Sequence, residues 1–343
     1  MKKHLLSISL FFLQVFAVAQ PVSPFTGDTL NTDSLNGDFR FLVSGHFHGS
    51  SSNVSGYPAS TLLGNLDGIN ALQPEFTVCL GDLFLDVRND IPFFQQSLFA
   101  KLQHPLFNAV GNHDLSGKVY QDNFGATFFD FYTENQSFIV LDTEMHDGSI
   151  KSDQLELFKS FVEQSRGKQH AFIFTHRPVW IENNDEIKHL FQDNTQSLIG
   201  NNFESEILPM LKELSQTTEI YLFSGSMGGM APVSFFYYSP QEGMHFINTA
   251  IRNLKRDAMV VVDIREGVVK LTPFSLTGQE LEPIQHYDKE YWNKRKGKKK
   301  PFNYRLLPLY TWQIVASKAF WIGGACFLIL YFIIRKIIRR KKR

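Results

Sequence analysis

Apolar and polar residues fall in blocks along this chain, and one arrangement recurs: a short apolar, β-rich run that stops at Gly, His, Asp or Asn. Phe39–Ser44 runs into Gly45-His46-Phe47-His48-Gly49, and Phe76–Leu80 into Gly81-Asp82-Leu83-Phe84-Leu85-Asp86. Leu106–Val110 runs into Gly111-Asn112-His113-Asp114, Ala171–Phe174 into Thr175-His176-Arg177-Pro178, and Ile220–Phe223 into Ser224-Gly225-Ser226-Met227-Gly228-Gly229. Runs of this length closed by glycine predict buried strands. Between them lie stretches of helical period; in Ser152–Gln164, Leu155, Phe158, Phe161 and Val162 share one face. Strands alternating with helices predict an α/β layered fold, in which ligands collect at the carboxyl ends of the strands. The polar clusters fall at that end.

The two ends of the chain carry longer apolar runs. Leu5–Ala19 follows a basic start and closes on Ala17-Val18-Ala19, which predicts a secretory signal peptide over residues 1–19. Ala319–Ile334 is uncharged and is followed by Arg335, Lys336 and a basic run to Arg343. That length is at the lower limit for crossing about 30 Å of hydrocarbon, so 319–334 is predicted as a single transmembrane helix and 335–343 as a cytoplasmic basic tail. Together they predict a single-pass membrane protein whose N-terminal domain lies outside the cytoplasm, in the periplasm or on the cell surface. Residues 20–38, rich in Ser, Thr, Asp, Asn, Gly and Pro, read as a flexible leader. Residues 284–318, with the Lys294–Lys300 cluster, read as a basic juxtamembrane stalk over anionic headgroups. Residues 39–283 remain for the folded domain.

The formal net charge of zero conceals a split. Residues 294–343 hold fifteen of the 34 Lys and Arg and no acidic residue, and the first nineteen residues hold two more, which leaves 20–293 at a formal −17. Such a domain repels polyanions, which argues against a nucleic-acid partner, and attracts metal cations. His46 and His48, Asp82, Asn112 and His176 then form a mixed N/O donor set suited to Zn, Fe or Mn. Each has an ordinary explanation singly, as a turn residue, a helix cap or a buried histidine. Five of them at the ends of neighbouring strands point to a common site.

This order of motifs resembles the metallophosphoesterase (calcineurin-like phosphoesterase) family, which carries Asp-x-His, Gly-Asp-x-x-Asp, Gly-Asn-His-Asp/Glu, a lone His after a strand, and Gly-His-x-His. Gly111-Asn112-His113-Asp114 matches in full, Gly81-Asp82 matches with Asp86 one place late, and Thr175-His176-Arg177-Pro178 is similar to the fourth motif. Thr127–Tyr132 and Ser137–Thr143 are similar to the family's hairpin ahead of that motif. The resemblance spans roughly residues 39–280. It implies a four-layer αββα sandwich holding two divalent metals about 3.5–4 Å apart. By position it makes Asp82 the bridging carboxylate, Asn112 and His176 ligands of one metal and His48 a ligand of the other. It makes His113 the group that stabilises the phosphate or protonates the leaving oxygen, with Asp114 orienting its imidazole.

Three positions depart from the family. His46 stands in place of the Asp of Asp-x-His, and Ser226 and Gly228 stand in place of both histidines of Gly-His-x-His. One metal would keep Asp82, Asn112 and His176, and the other His46, His48 and Asp82, so one or two divalent ions (Mn, Fe or Zn) are expected, with one favoured over two. Two functional classes follow. One is a membrane-anchored, extracytoplasmic, metal-dependent phosphoesterase acting on a small phosphorylated substrate. The other is a catalytically inactive binding or scaffold module of the cell envelope on the same fold.

Overall fold

The computed structural model describes residues 20–191, 201–295, 315 and 318–341, and the segment read as a signal peptide lies outside them. The chain divides into two compact units, one ending at Lys296 and one running from Gly297 to Arg343.

The first unit contains two sheets. Strands β1 (Phe39–Ser44), β2 (Phe76–Cys79) and β3 (Leu106–Asn108) run parallel, and β10 (Ala258–Arg265) and β11 (Val268–Ser275) extend them antiparallel in the order β11-β10-β1-β2-β3. The second sheet has the order β4-β5-β6-β7-β9-β8, with β4 (Phe129–Tyr132), β5 (Gln136–Val140), β6 (His170–Thr175), β7 (Glu219–Ser224), β8 (Phe235–Gln241) and β9 (Met244–Thr249). Its centre, β5-β6-β7-β9, is parallel. Strands fully buried on both faces read as unbroken apolar runs, which is why β1, β2, β3, β6 and β7 stand out in the sequence.

The sheets pack face to face on a core rich in phenylalanine. Phe41 of β1 stacks on Phe76 of β2 at 4.8 Å between ring centres and meets Phe172 of β6 edge-on at 5.2 Å. Phe138 of β5 stacks on Phe131 at 4.6 Å and on Phe172 at 5.1 Å. Each fully buried ring contributes on the order of 1.5–3 kcal/mol, so this seam is the main hydrophobic bond between the sheets. A second core lies under the helices Ser152–Ser165 and Leu208–Leu214, and a third under Leu66–Ala71, Val87–Phe94 and Val119–Phe124. Helices therefore cover both outer faces of a mixed α/β double sheet.

Two boundaries move. Residues 20–38 are not a loose leader: Phe25, Leu30 and Leu35 are buried, and Ser23 Oγ donates to Leu106 O at 2.7 Å on the edge strand β3. Nor does the domain end at 283. The helix Lys289–Lys294 buries Trp292, whose indole donates to Phe235 O at 2.9 Å. The apolar side chains of these segments, scattered among polar ones, carry no period that marks them as core.

In the second unit, the helix Lys318–Lys341 contains the segment expected to span a membrane. Among the described residues no helix is long and apolar enough to cross one. The uncharged run Ala319–Ile334 reaches about 24 Å at the helical rise of 1.5 Å per residue, short of the hydrocarbon thickness, and basic residues close both ends.

Main chains come very close where the two sheets meet at their carboxyl ends. A Cβ on Gly225, just past β7, would sit 1.9 Å from Leu80 O, and one on Gly45 would sit 2.9 Å from the Cα of Gly225. Gly225→Ala is expected to lower the melting temperature by roughly 5 °C or more, because overpacking costs about 1–3 kcal/mol. Gly229→Ala in the same loop, where a Cβ meets nothing within 4 Å, should melt like the wild type. Equal melting of the two variants contradicts this packing.

Acid sensitivity has a local source as well. Burial holds the His104 imidazole down at about 4, and its Nε2 faces Thr77 Oγ1 at 2.8 Å. The unfolded chain takes up this proton near the ordinary value of 6.5 while the folded chain refuses it, so stability falls from about pH 6.5 to pH 4, by up to about 3 kcal/mol. Urea midpoints of wild type and His104→Gln across that range should converge as the pH falls.

Candidate metal centre

Four loops following parallel strands build the site. His46 follows β1 and Asp82 follows β2, and both sit at positive φ, 58° and 52°, which non-glycine residues rarely adopt. Such strain persists only where the surroundings enforce it, commonly at functional sites. Here His46 N donates to Gly81 O at 2.9 Å, locking the two turns together. A side chain on Gly111 would put its Cβ 2.3 Å from Asp82 Oδ1, so only glycine lets this loop pass so near the carboxylate.

Asp82 is buried, and imidazoles surround it. His46 Nε2 lies 3.5 Å and His48 Nε2 3.8 Å from Oδ2, while His176 Nε2 lies 3.7 Å from Oδ1. The backbone N–H of His113 donates to Oδ1 at 3.2 Å, and the His113 ring lies 5.3 Å from that of His48. The ligating atoms of His46, Asp82 and His176 fall within 4.8 Å of one another, as do those of His48, Asp82 and His113. These separations are too long for direct hydrogen bonds and near the roughly 3.4 Å edge of a tetrahedral site with bonds of about 2.1 Å.

Hydrogen bonds on the far side of two rings set their tautomers. His176 Nδ1 pairs with Leu80 O at 2.8 Å, and His113 Nδ1 with Leu85 O at 2.9 Å. A carbonyl only accepts, so Nδ1 carries the proton in both and Nε2 offers a lone pair, the support that metal-ligating histidines typically have. Both ring nitrogens of His48 are buried without a hydrogen-bond partner among the described residues. Buried polar atoms left unpaired around a carboxylate fit a cation, and the donor set suits a divalent metal.

The electrostatics agree. Burial alone would raise the Asp82 carboxyl, but the His176, His46 and His48 imidazoles outweigh it and hold the acid well below its ordinary range. Burial drives His46 well below its ordinary value, against the pull of Asp82 and with the help of Arg252. Asp82 is thus anionic and His46 neutral.

The expected partition of ligands changes in detail. His46 groups with His176 rather than with His48, and His113 comes in beside His48. Asn112 is half-buried between Gly111 and His113, and its side chain makes no hydrogen bond among the described residues. Asp114 does not orient the His113 imidazole, which Leu85 O holds instead. Its Oδ1 accepts from Phe84 N at 2.9 Å, and its Oδ2 accepts from Gly111 N at 2.9 Å and Asn108 Nδ2 at 3.1 Å. Burial and the Asp82 charge hold the Asp114 carboxyl above its ordinary value, and these three donors offset only part of that rise. Its work is to fasten two loops. Asp86 is likewise structural: it caps the helix Val87–Phe94, accepting from Arg88 N at 3.1 Å.

Two groups escaped the sequence reading. Arg256 donates to Gly228 O at 2.9 Å and Val233 O at 3.0 Å, binding the loop that lacks the family's histidines. Arg252 touches His46 Nδ1 across 206 residues of sequence, and nothing in the local pattern of Thr249-Ala250-Ile251-Arg252 announces it.

Comparison with known proteins places the architecture. A dimetal phosphatase from Danio rerio superposes with a TM-score of 0.52 at 11% identity, over 69% of this chain and 96% of that one. A purple acid phosphatase from yellow lupin (Lupinus luteus) seeds gives a TM-score of 0.44 at 10% identity, over 72% of this chain and 53% of the other. No family model matches the sequence, and no curated protein does either. The chain has the metallophosphoesterase, or calcineurin-like, fold.

Asp114→Asn turns an acceptor into a donor against Phe84 N or Gly111 N and is expected to cost about 1–3 kcal/mol of stability in urea unfolding. His113→Asn, which gives up the bond to Leu85 O, should cost under about 1.5 kcal/mol. The reverse ranking would return Asp114 to a purely chemical role.

Proposed function

We propose that this chain is a metal-dependent phosphoesterase with a reduced, single-metal centre. The observation that carries this reading is the buried Asp82 carboxylate faced by the Nε2 atoms of His176 and His48, with His176 locked in the ligating tautomer by Leu80 O. Asp82, His176 and His48 would hold the ion, with Asn112 beside them. A divalent ion bound there supplies Lewis-acid polarisation of a phosphoryl oxygen.

The chain's own groups would do the remaining work. His113, protonated on Nδ1 by its bond to Leu85 O, keeps Nε2 available to take a proton, and as imidazolium it gives one to the leaving oxygen. Glycines 81 and 111 let main chain pass close against His176 and Asp82, which fixes the positions of both side chains. The acidic balance of the domain favours small substrates over polyanions.

The second reading, an inactive binding module, has its own support. Ser226 and Gly228 supply no imidazole, and Arg256 secures their loop through main-chain oxygens in a way that needs no metal.

We extend the proposal to location: attachment to a membrane, with the folded domain outside the cytoplasm. The signal-like first nineteen residues support it, as do the exposed Phe327, Phe332 and Ile333 of the terminal helix and the basic run that follows Ile334.

Metal analysis of the purified full-length chain, with turnover of phosphomonoester and phosphodiester substrates in Mn²⁺, tests the function. One bound metal per chain is expected, and Asp82→Asn should lose it together with at least roughly a hundredfold in turnover. A folded wild type without metal or turnover would establish the binding module instead.

A further inference from the structure

Arg252 reaches the centre along a main-chain zipper. Gly45 N donates to Thr249 O at 3.1 Å and Ile251 N donates to Gly45 O at 3.1 Å, so the segment after β9 runs beside the start of the His46 loop. Asp257, fully buried, then fixes the residue: its Oδ1 accepts from Arg252 N at 3.0 Å, and its Oδ2 accepts from Thr61 Oγ1 at 2.7 Å. The guanidinium Nη1 lies against His46 Nδ1.

A guanidinium donates and cannot accept. His46 Nδ1 is therefore the acceptor, and the neutral ring carries its proton on Nε2, facing Asp82 Oδ2 at 3.5 Å. In this tautomer His46 presents an N–H to Asp82 and is not a metal ligand. The residue standing where the resemblance expects an anionic ligand has become a spacer between a carboxylate and a fixed cation.

The three arginines around this region differ in what claims them. Arg177 is taken by Glu144, with Nε to Oε1 at 2.7 Å, and Arg256 by the oxygens of Gly228, Val233 and Ser234. The Arg252 guanidinium has only His46 as a hydrogen-bond partner among the described residues. It has five N–H donors, so four remain for a ligand. A half-buried fork with unclaimed donors, beside a centre built for a cation and its anionic substrate, is a phosphate grip.

We propose that Arg252 is a substrate-binding residue whose fork holds the phosphoryl oxygens of the ester, supplying the positive charge that a second metal would otherwise bring. The inference rests on the phosphoesterase reading for the identity of the ligand, and it gives that reading its substrate contact.

Titration calorimetry of the full-length chain with inorganic orthophosphate, alongside metal analysis, tests it. R252M should weaken orthophosphate binding roughly tenfold or more and leave the metal content per chain unchanged. R252K, which keeps the charge but loses the fork, should recover only part of the affinity and melt like the wild type. R252K secures the test if R252M fails to fold: wild-type affinity in the lysine variant overturns the proposal. So does R252M binding within twofold of wild type, or a wild type that binds no orthophosphate. A metal-free, inert chain that still binds orthophosphate through Arg252 keeps this inference and removes the phosphoesterase reading. Turnover with the same KM in R252M and wild type does the opposite.

Discussion

A single buried negative charge organises this molecule. Asp82 lies at the carboxyl end of β2 with almost no access to water, and a bare carboxylate there would carry a large desolvation penalty. Everything around it offsets that penalty: imidazoles on both oxygens, the His113 N–H, and the guanidinium beyond His46. The positive φ of Asp82 and His46 and the close approach of Gly111 are the geometric cost of gathering these groups around one point. Because those groups come from both sheets, the charge also couples the sheets at the end where the phenylalanine seam gives way to loops.

The double sheet explains why so much polar chemistry is tolerated in a dry place. Stacked rings along Phe41, Phe76, Phe138 and Phe172 hold the sheets in register without help from the site. The loops are then clamped by local devices such as Asp114 under the Phe84 and Gly111 amides and Arg256 under the Gly228 carbonyl. Most of the frame's cohesion therefore lies in the stacked rings, away from the centre. Ser226 and Gly228, which offer no imidazole, can thus stand beside the centre without cost to the architecture.

Legibility in the sequence followed burial. The five strands that end in polar clusters are buried on both faces, so their apolar runs are unbroken and their ends are marked by glycine; β1 and the helix from Ser152 begin where the pattern puts them. Strand β11, half exposed, alternates weakly and left no such mark. His46, His48, Asp82 and His176 could be nominated because each closes a strand. Arg252 could not, since its approach depends on the pairing of Gly45 with Ala250, a contact across two hundred residues with no local signature. The role expected of Asp114 differed for a related reason: the motif reports which residues stand together, while the choice of acceptor for the His113 imidazole was made by Leu85, a residue whose side chain says nothing about its carbonyl.

The loop after β7 carries a consequence of its own. Its path is held by hydrogen bonds to the oxygens of Ser226, Gly228 and Val233, donated by Asn248 and Arg256. Every amino acid brings the same oxygen, so evolution can redraw the side chains of this segment without redirecting its course. The course of this segment is therefore written in its main chain, and exchanging the side chains of Ser226 or Gly228 would change what the loop displays while leaving its route intact.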